Sequence, residues 1–572
     1  MVDIPGDNTT TASMTVGALF EDQLETSGDK DWIAITLNGG QSYSIALSGT
    51  DGGLTDTLLH VYDASGVLVA TDDDGGTGLF SLATYTPAET ATFYVEAGAY
   101  GSETGGYSVQ VQETGHPEFL DSIRWGKKLP TQEINVYFAQ VGEVFDGKTS
   151  MGWNAYEQQQ AMLAFQLFAN VCNVTFNVVT DQSQATLTLV TKERAPWLGY
   201  FNPPGTRDEG IGVFNQGGSG WDEDQPGAGG LEQGGYGFIT LIHEFGHGMG
   251  MAHPHDSGGN STTWEGVTDS FDSYGTFDLN QGIYTMMSYN DGWNLHPLGE
   301  NTANEYGWEG TLMAFDVALM QRLYGANTSF HAGNDSYALD DENALGTYFS
   351  CIWDAGGIDE ITYDGTRNVT IELRAAHLGY APGSGGFISY ADGIYGGFTI
   401  ANGVVIENAS GGEGNDRITG NAASNEIQGG LGRDELFGLD GRDQLDGGAG
   451  RDTICGGRCA DQLRAQGLGD TFLYLDASES GGTRAQSDKI RNFTSGNHLI
   501  DVSALDANTG GGEDDAFTFL DQGAFSGAGG ELRWKAVNGG IMVLADLDGD
   551  LATDFSLTLL NATGVVASDF IL

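Results

Sequence analysis

Ten histidines occur in the 572 residues, and four of them fall in the stretch LIHEFGHGMGMAHPH, from Leu241 to His255. The overlapping stretch GGYGFITLIHEFGHG, from Gly234 to Gly248, carries an apolar pattern compatible with a helix. On a helix, residues four apart share a face, so His243 and His247 point the same way with Glu244 beside them. Two imidazoles on one face can grip a zinc ion, which then needs a third protein ligand and an open position for water. His253 can supply the third ligand only if the helix stops. At about 100° per residue, an unbroken helix would carry His253 well off the shared face. Gly248 and Gly250 are where the chain can turn, because glycine reaches positive φ cheaply. His255 has no place in this geometry and reads as a loop residue. A zinc ion so held polarises a carbonyl and acidifies a water. Glu244 is the group to accept that water's proton and pass it to a leaving amine. The chemistry this spacing suits is zinc-assisted hydrolysis.

HExxH alone can arise by chance on a core helix. Extended through Gly250 and His253 to HExxHxxGxxH, it is the metzincin signature. Downstream, YTMMSYN resembles the Met-turn of those enzymes. By that resemblance Met287 forms an apolar base beneath the metal, and Tyr289 reaches the ion or the oxyanion of the reaction. A peptide substrate could dock by adding a strand to an exposed sheet edge. EGIGVFNQ, from Glu209 to Gln216 with Gly212, Val213 and Phe214 at its centre, is the candidate edge.

These residues need a scaffold, and a chain of this length implies about two to four domains. Around the motif, EINVYFA, NAYEQQQAMLAFQLFANV, VTFNVVT and ATLTLVT read as strand, helix, strand and strand, with Asn154 a helix N-cap. With the histidine helix they predict an α/β sheet domain over residues 116–330. Before it, WIAITL, SYSIAL, LLHVYD, GVLVAT, TFYVEA and YSVQVQ are short alternating runs separated by turns. They predict a β-sandwich over residues 1–115. GDKDWIAITLNGGQSYSIAL and YGSETGGYSVQV in that stretch resemble the bacterial pre-peptidase C-terminal domain. The acids Asp72, Asp73 and Asp74 read as a solvated turn.

From Gly411 a nine-residue period sets in: GGEGNDRIT, GNAASNEIQ, GGLGRDELF, GLDGRDQLD, GGAGRDTIC, GGRCADQLR. Apolar residues recur at Ile418, Ile427, Leu436, Leu445, Ile454, Leu463 and Phe472. Two places before each stands an acid or amide: Asp416, Asn425, Asp434, Asp443, Asp452, Asp461, Asp470. A flexible glycine-rich linker would not keep both registers. The pattern is that of a parallel β-roll whose glycine turns offer carbonyl and carboxylate oxygens to Ca²⁺. Asp416, Asp434, Asp443, Asp452 and Asp461 are the candidate calcium ligands. Asn425 and Cys459 break the pattern, so fewer ions than half-turns are expected. Runs such as ELRWKAV and GIMVLADL predict a terminal β-sandwich after the roll. The fold class is thus multidomain, α/β plus all-β.

Bulk properties narrow the functions. A formal charge of −57 argues against nucleic acid and anionic membranes and suits a cation-loaded protein. The 90 glycines, against a usual share of about 7 %, agree with turn-dense β structure. Four cysteines do not make a disulfide framework: Cys172 and Cys351 read as buried thiols, and Cys455 with Cys459 could pair. No apolar run is long enough for a membrane span. The N-terminal residues lack the pattern of a Sec-type signal peptide.

Taken together, HExxHxxGxxH, MSY and the nonapeptide repeats resemble a serralysin, a secreted bacterial zinc endopeptidase. LMAFDVALMQRLYGAN, WDAGGIDEI and GVVIENASGGEGND fit that family too, and the likeness covers about residues 118 to 572. It implies a metzincin-like catalytic domain followed by a calcium-binding region over residues 331–572. It also implies calcium positions at His331, Gly333, Asp335, Asp354, Gly356, Gly357, Asp359, Val405 and Glu407. The expected partners are protein substrates and the type I secretion apparatus, which reads an uncleaved C-terminal signal such as SDFIL, with the chain acting as a monomer. Family members usually begin with a short propeptide, whereas here a sandwich of about a hundred residues precedes the catalytic domain and reads as a removable or accessory module. The alternative is a calcium-binding adhesin or surface-layer protein with a vestigial zinc site. The intact Glu244 argues against it, and the Met-turn argues against a non-proteolytic zinc hydrolase.

Overall fold

The computed structural model describes all residues except 1–3, 8, 39–42, 51–52, 74–79, 88–90, 101–102, 114–117, 222–226, 380–381, 468, 506 and 508–515. Asp74 therefore lies outside the described residues. The chain forms two compact units, residues 1–122 with 377–384, and residues 123–376 with 385–572.

The first unit holds two four-stranded antiparallel sheets. One runs in the order Leu19–Leu24, Gly105–Glu113, Tyr43–Gly49, Ser81–Tyr85, and the other Asp31–Leu37, Ala91–Ala99, Thr57–Tyr62, Leu68–Asp72. Alternation decides which side chains face inward. Tyr43, Ile45 and Leu47 from one sheet and Ile33, Ile35 and Leu37 from the other are buried in a single core. This is the packing of a sandwich.

In the second unit a five-stranded sheet runs in the order Thr175–Val178, Glu133–Phe138, Leu187–Lys192, Ile211–Asn215, Gly199–Phe201. The first four strands are parallel and the last pairs antiparallel. The helix Ala155–Val171 starts where expected. The Asn154 side chain accepts the Glu157 N–H at 2.9 Å, and the Glu157 carboxylate accepts the Asn154 N–H at 2.8 Å. Phe165 of this helix stacks on Phe245 of the histidine helix at 3.7 Å between centroids. The histidine helix is thereby fixed by the core rather than by its own propensity. The candidate edge is corrected here. Ile211–Asn215 is paired on both sides, with Val213 and Phe214 fully buried, and the outer strand is Gly199–Phe201.

The repeats wind as two stacked parallel sheets. Asn408–Ser410, Glu426–Gly432, Gln444–Gly450 and Gln462–Arg464 pair in one, and Arg417–Thr419, Glu435–Phe437, Thr453–Cys455 and Thr471–Leu473 in the other. Successive repeats thus alternate between sheets. The recurring apolar residue fills the gap between them, and Ile418, Ile427, Leu436, Leu445, Ile454, Leu463 and Phe472 are at most 1 % exposed. The expected terminal sandwich is the end of the same stack. Asp488–Arg491 pairs with Phe555–Leu560, Leu499–Asp501 pairs with Phe570–Ile571, and the hairpin Glu531–Val537/Gly540–Asp546 extends the first sheet. Among the described residues no helix is long and apolar enough to cross a membrane.

Candidate metal centre and substrate cleft

The helix Tyr236–Met249 ends at Gly250, whose φ of 103° is left-handed. The reversal is locked by the Gly250 N–H on His247 O and the Met251 N–H on Gly246 O. It returns His253 to the helix face. Its Nε2 lies 3.2 Å from that of His243 and 2.9 Å from that of His247. Nitrogens on a tetrahedral zinc ion stand about 3.3 Å apart, so the donor set fits such an ion. Each Nδ1 is engaged elsewhere: His243 on Met286 O at 2.7 Å, His247 on Met251 O at 3.1 Å, His253 on Asp256 Oδ2 at 2.8 Å. These contacts orient the rings and turn the three Nε2 atoms inward. Burial, then mutual repulsion, holds His243 well below the usual imidazole range and His247 down at about 3. Both rings are therefore neutral and present lone pairs.

The glycines have separate duties. Gly248 lies within the helix and does not turn the chain. A Cβ there would meet the Phe201 ring at 2.8 Å, so its bareness lets the outer strand approach. A Cβ on Gly246 would stand 2.8 Å from Met287 Sδ, so the methionine floor packs directly beneath the helix. Met287 is fully buried, as the Met-turn resemblance implies. Asp316, at 0 % exposure, ties that turn by accepting the Thr285 hydroxyl and the Met286 and Met313 N–H groups at 2.6–2.9 Å.

Glu244 is 7 % exposed, and its Oε2 has no hydrogen-bond partner. Burial pushes its carboxyl up to about 8, against a hydrogen bond from the Phe201 backbone. A Cβ on Gly199 would lie 2.8 Å from Glu244 Cγ, so the outer strand passes directly over this carboxylate. The Tyr289 ring lies 5.6 Å from His243 and 4.8 Å from His253. Burial, then the charge of Glu244, pushes its hydroxyl up to about 12, which keeps it a donor. His255 belongs to this cluster after all. It stacks on His253 at 4.7 Å, stands 4.5 Å from Tyr289, and its side chain is 6 % exposed. Proline and a tight turn bring it back, which spacing on a helix could not reveal. A cavity of about 340 Å³ opens beside His243, Glu244 and Tyr289, with Trp197, Ile239 and Asp291 on its walls.

The second group of sequence-predicted ligands also converges. His331, Asp335 and Asp354 form one cluster, with His331 Nδ1 3.4 Å from Asp335 Oδ1. Asp359 Oδ1 accepts the Asp335 N–H and Glu407 Oε2 accepts the Asp359 N–H, while Asp359 Oδ2 is buried without a partner. A Cβ on Gly357 would strike the Gly333 carbonyl, and Gly356 takes a φ of 127°. The Val405 side chain is a hydrocarbon, so only its backbone carbonyl could serve as a ligand.

In the roll the carboxylates form two ladders. Oδ1 of Asp434, Asp443, Asp452 and Asp461 accepts the N–H of Asp416, Asn425, Asp434 and Asp443 at 2.8–3.0 Å. Oδ2 of the same four residues is buried and has no partner. A Cβ on Gly429 would lie 2.4 Å from Asp434 Oδ2 and 2.6 Å from Gly447 O, and Gly438 sits likewise between Asp443 Oδ2 and Gly456 O. Free carboxylate oxygens and carbonyls thus face glycine corners sized for a cation that prefers oxygen. Burial raises Asp434 and Asp443 to about 7, Asp452 to about 6 and Asp461 to about 8. Asp416 differs, since both its oxygens accept backbone N–H groups, from Val369 and Gly412. Asn425 satisfies its own amide on Glu407 O and Asn421 Oδ1. All four cysteines are free thiols, with Cys459 exposed at a φ of 88°.

Sequence reasoning missed Asp256, Asp316 and Asp291. Asp256 lies three residues past His253, and that spacing to a ligand histidine was the one available signal. Residues 316–572 match the family model described as Peptidase M10 serralysin C terminal. Serralysin C of Dickeya chrysanthemi is 34 % identical over 511 residues, covering 84 % of this chain and 93 % of that protein. Serralysin A of the same organism is 32 % identical, covering 88 % and 99 %. With metallopeptidase AprA of Pseudomonas marginalis the match is 32 % identical and spans 46 % of this chain and about half, 54 %, of that protein's length. A shorter alignment to serralysin C spans 61 % of it. By this similarity over nearly its whole length the chain belongs to the serralysin family of metallopeptidases.

Proposed function

We propose that the chain is a secreted zinc-dependent endopeptidase that cuts protein substrates and whose roll is ordered by calcium. In this reading residues 116–330 form a metzincin-type catalytic domain, 331–572 the calcium-binding roll with the secretion signal, and 1–115 an accessory sandwich. The observation that carries it is the convergence of three imidazole nitrogens beside a buried carboxylate with a free oxygen. His243, His247 and His253 would hold the zinc, which supplies Lewis acidity toward the scissile carbonyl.

The chain's own residues do the rest. The backbone of Gly199–Phe201 offers an edge to which an extended peptide adds a strand, above Glu244. The Glu244 carboxylate takes a proton from the attacking water and delivers it to the leaving nitrogen. Its raised affinity for protons suits it to both halves of that transfer. Tyr289, held protonated, donates toward the oxygen that gains charge. Asp256 keeps the His253 ring in place. Type I export, a monomeric state and calcium at the partnerless oxygens of Asp434, Asp443, Asp452 and Asp461 complete the proposal. Digestion of casein by calcium-replete protein, with and without a zinc chelator, tests it. Cleavage that survives complete removal of transition metal would sink it.

A further inference from the structure

The cavity beside Glu244 is apolar at its flanks and acidic on one wall. Trp197 and Leu198 line it ahead of the outer strand, and Ile239 lines it from the histidine helix. Asp291 also lines it and accepts the Tyr236 hydroxyl at 3.3 Å. Asp291 also lines a second cavity of about 410 Å³ that shares Tyr236, Phe271 and Tyr289 with the first and adds Asp272 and Glu300. Among the described residues, no lysine or arginine lines either cavity. Behind Asp291 stands Glu309, at 0 % exposure. Its Oε1 accepts the Gly292 N–H at 2.6 Å and its Oε2 has no partner. Burial raises both Asp291 and Glu309, and the charge of Asp291 raises Glu309 further, so the pair holds a shared proton until a cation in the cleft favours the ionised form of Asp291.

From this placement we infer that the cleft selects lysine or arginine next to the scissile bond. The aliphatic stem lies along Trp197, Leu198 and Ile239, as long cationic side chains commonly bury their methylenes. The charged head reaches the Asp291 carboxylate and gains a charge-assisted hydrogen bond. An acidic residue at the same place meets like charge and is rejected. Asp291 is thus a specificity residue that acts on binding, distinct from the proton transfer at Glu244. The inference rests on the endopeptidase reading of the centre.

The test uses the full chain loaded with zinc and calcium. Its cuts in a proteome-derived peptide library are mapped by mass spectrometry. Matched fluorogenic peptides then vary only the two residues flanking the scissile bond among Arg, Lys, Leu and Glu. Arg or Lys at one flank should exceed Leu by about tenfold in kcat/KM, mostly through KM, with Glu the poorest. Asp291→Asn should shrink the Arg-to-Leu ratio about fivefold or more, and Asp291→Lys should move the preference toward Glu. If neither variant folds, the wild-type profile decides, with a selectivity that weakens as salt rises. Leu cleaved as well as Arg, with the ratio unmoved by Asp291→Asn, overturns the inference and leaves the enzyme intact. No cleavage of any peptide overturns the endopeptidase reading and this inference together.

Discussion

Under the proposed function the histidine centre and the aspartate ladder both hold cations, and they treat the electrostatic problem in opposite ways. At the centre, His243 and His247 are buried as neutral rings, each fixed through its Nδ1 by a backbone carbonyl. Neither of these two rings carries a charge for the other to repel. In the roll, Asp434, Asp443, Asp452 and Asp461 are stacked with one oxygen each left without a donor, and burial raises every one of them. That arrangement persists only with a proton or a cation on the carboxylates. Under the proposed function the ion would be a reagent in the first region and part of the fold in the second.

The comparison can be broken or sharpened by experiment. The largest effect is expected at Glu244. Glu244→Ala should lower kcat/KM by about a thousandfold or more while zinc content, read by elemental analysis, stays at wild-type level. A parallel loss of zinc would mean the carboxylate shapes the site rather than the reaction. Next comes calcium. Excess chelator should abolish the β circular-dichroism signal of the roll while hydrogen exchange in the sandwich core around Ile33 and Ile45 stays slow. Persistence of the roll signal would contradict an ion-dependent fold.

Smaller effects probe the turn and the sandwich. Gly250→Ala places a Cβ 2.4 Å from Lys127 O at a φ of 103°. It should cost about 1–3 kcal/mol, seen as weaker zinc retention in chelator competition, because the strain moves His253. The sandwich supplies a control, since among its described residues no group of three metal-binding side chains comes together. Asp31 is 1 % exposed, accepts the Tyr107 hydroxyl at 2.6 Å, and is raised by burial to about 7. Between the unfolded carboxyl value near ~4 and 7, the folded state keeps a proton that the unfolded chain has lost. Stability of this unit should therefore fall as pH rises through that window, and remain lower above it. Asp31→Asn should flatten the dependence and raise the melting temperature at pH 8 by a few degrees, measured by scanning calorimetry. Calcium should change neither result.

How much of this was legible beforehand depends on the range of each signal. His243, Glu244, His247, Gly250 and His253 act within eleven residues, and the roll within a period of nine, so both could be read locally. The outer strand could not. Ile211–Asn215 has the better strand pattern, yet Gly199–Phe201 takes the edge because the chain doubles back antiparallel onto it. Asp316 acts on the Met-turn from a helix about thirty residues away, as its bond to Met286 shows. Gly248 looked like a turn residue, and only the contact with Phe201 explains its missing side chain.

By itself, the order of residues determined the candidate ligand set, the reversal at Gly250 and the repeating carboxylates, because helix pitch, glycine's φ range and a fixed period are properties of neighbouring residues. Tertiary structure alone decided which strand lies at the sheet edge, that His255 packs on His253 and Tyr289, and that Glu309 stands against Asp291. Those outcomes turn on burial and on charges brought together across long stretches of chain, and packing against a shared core sets both.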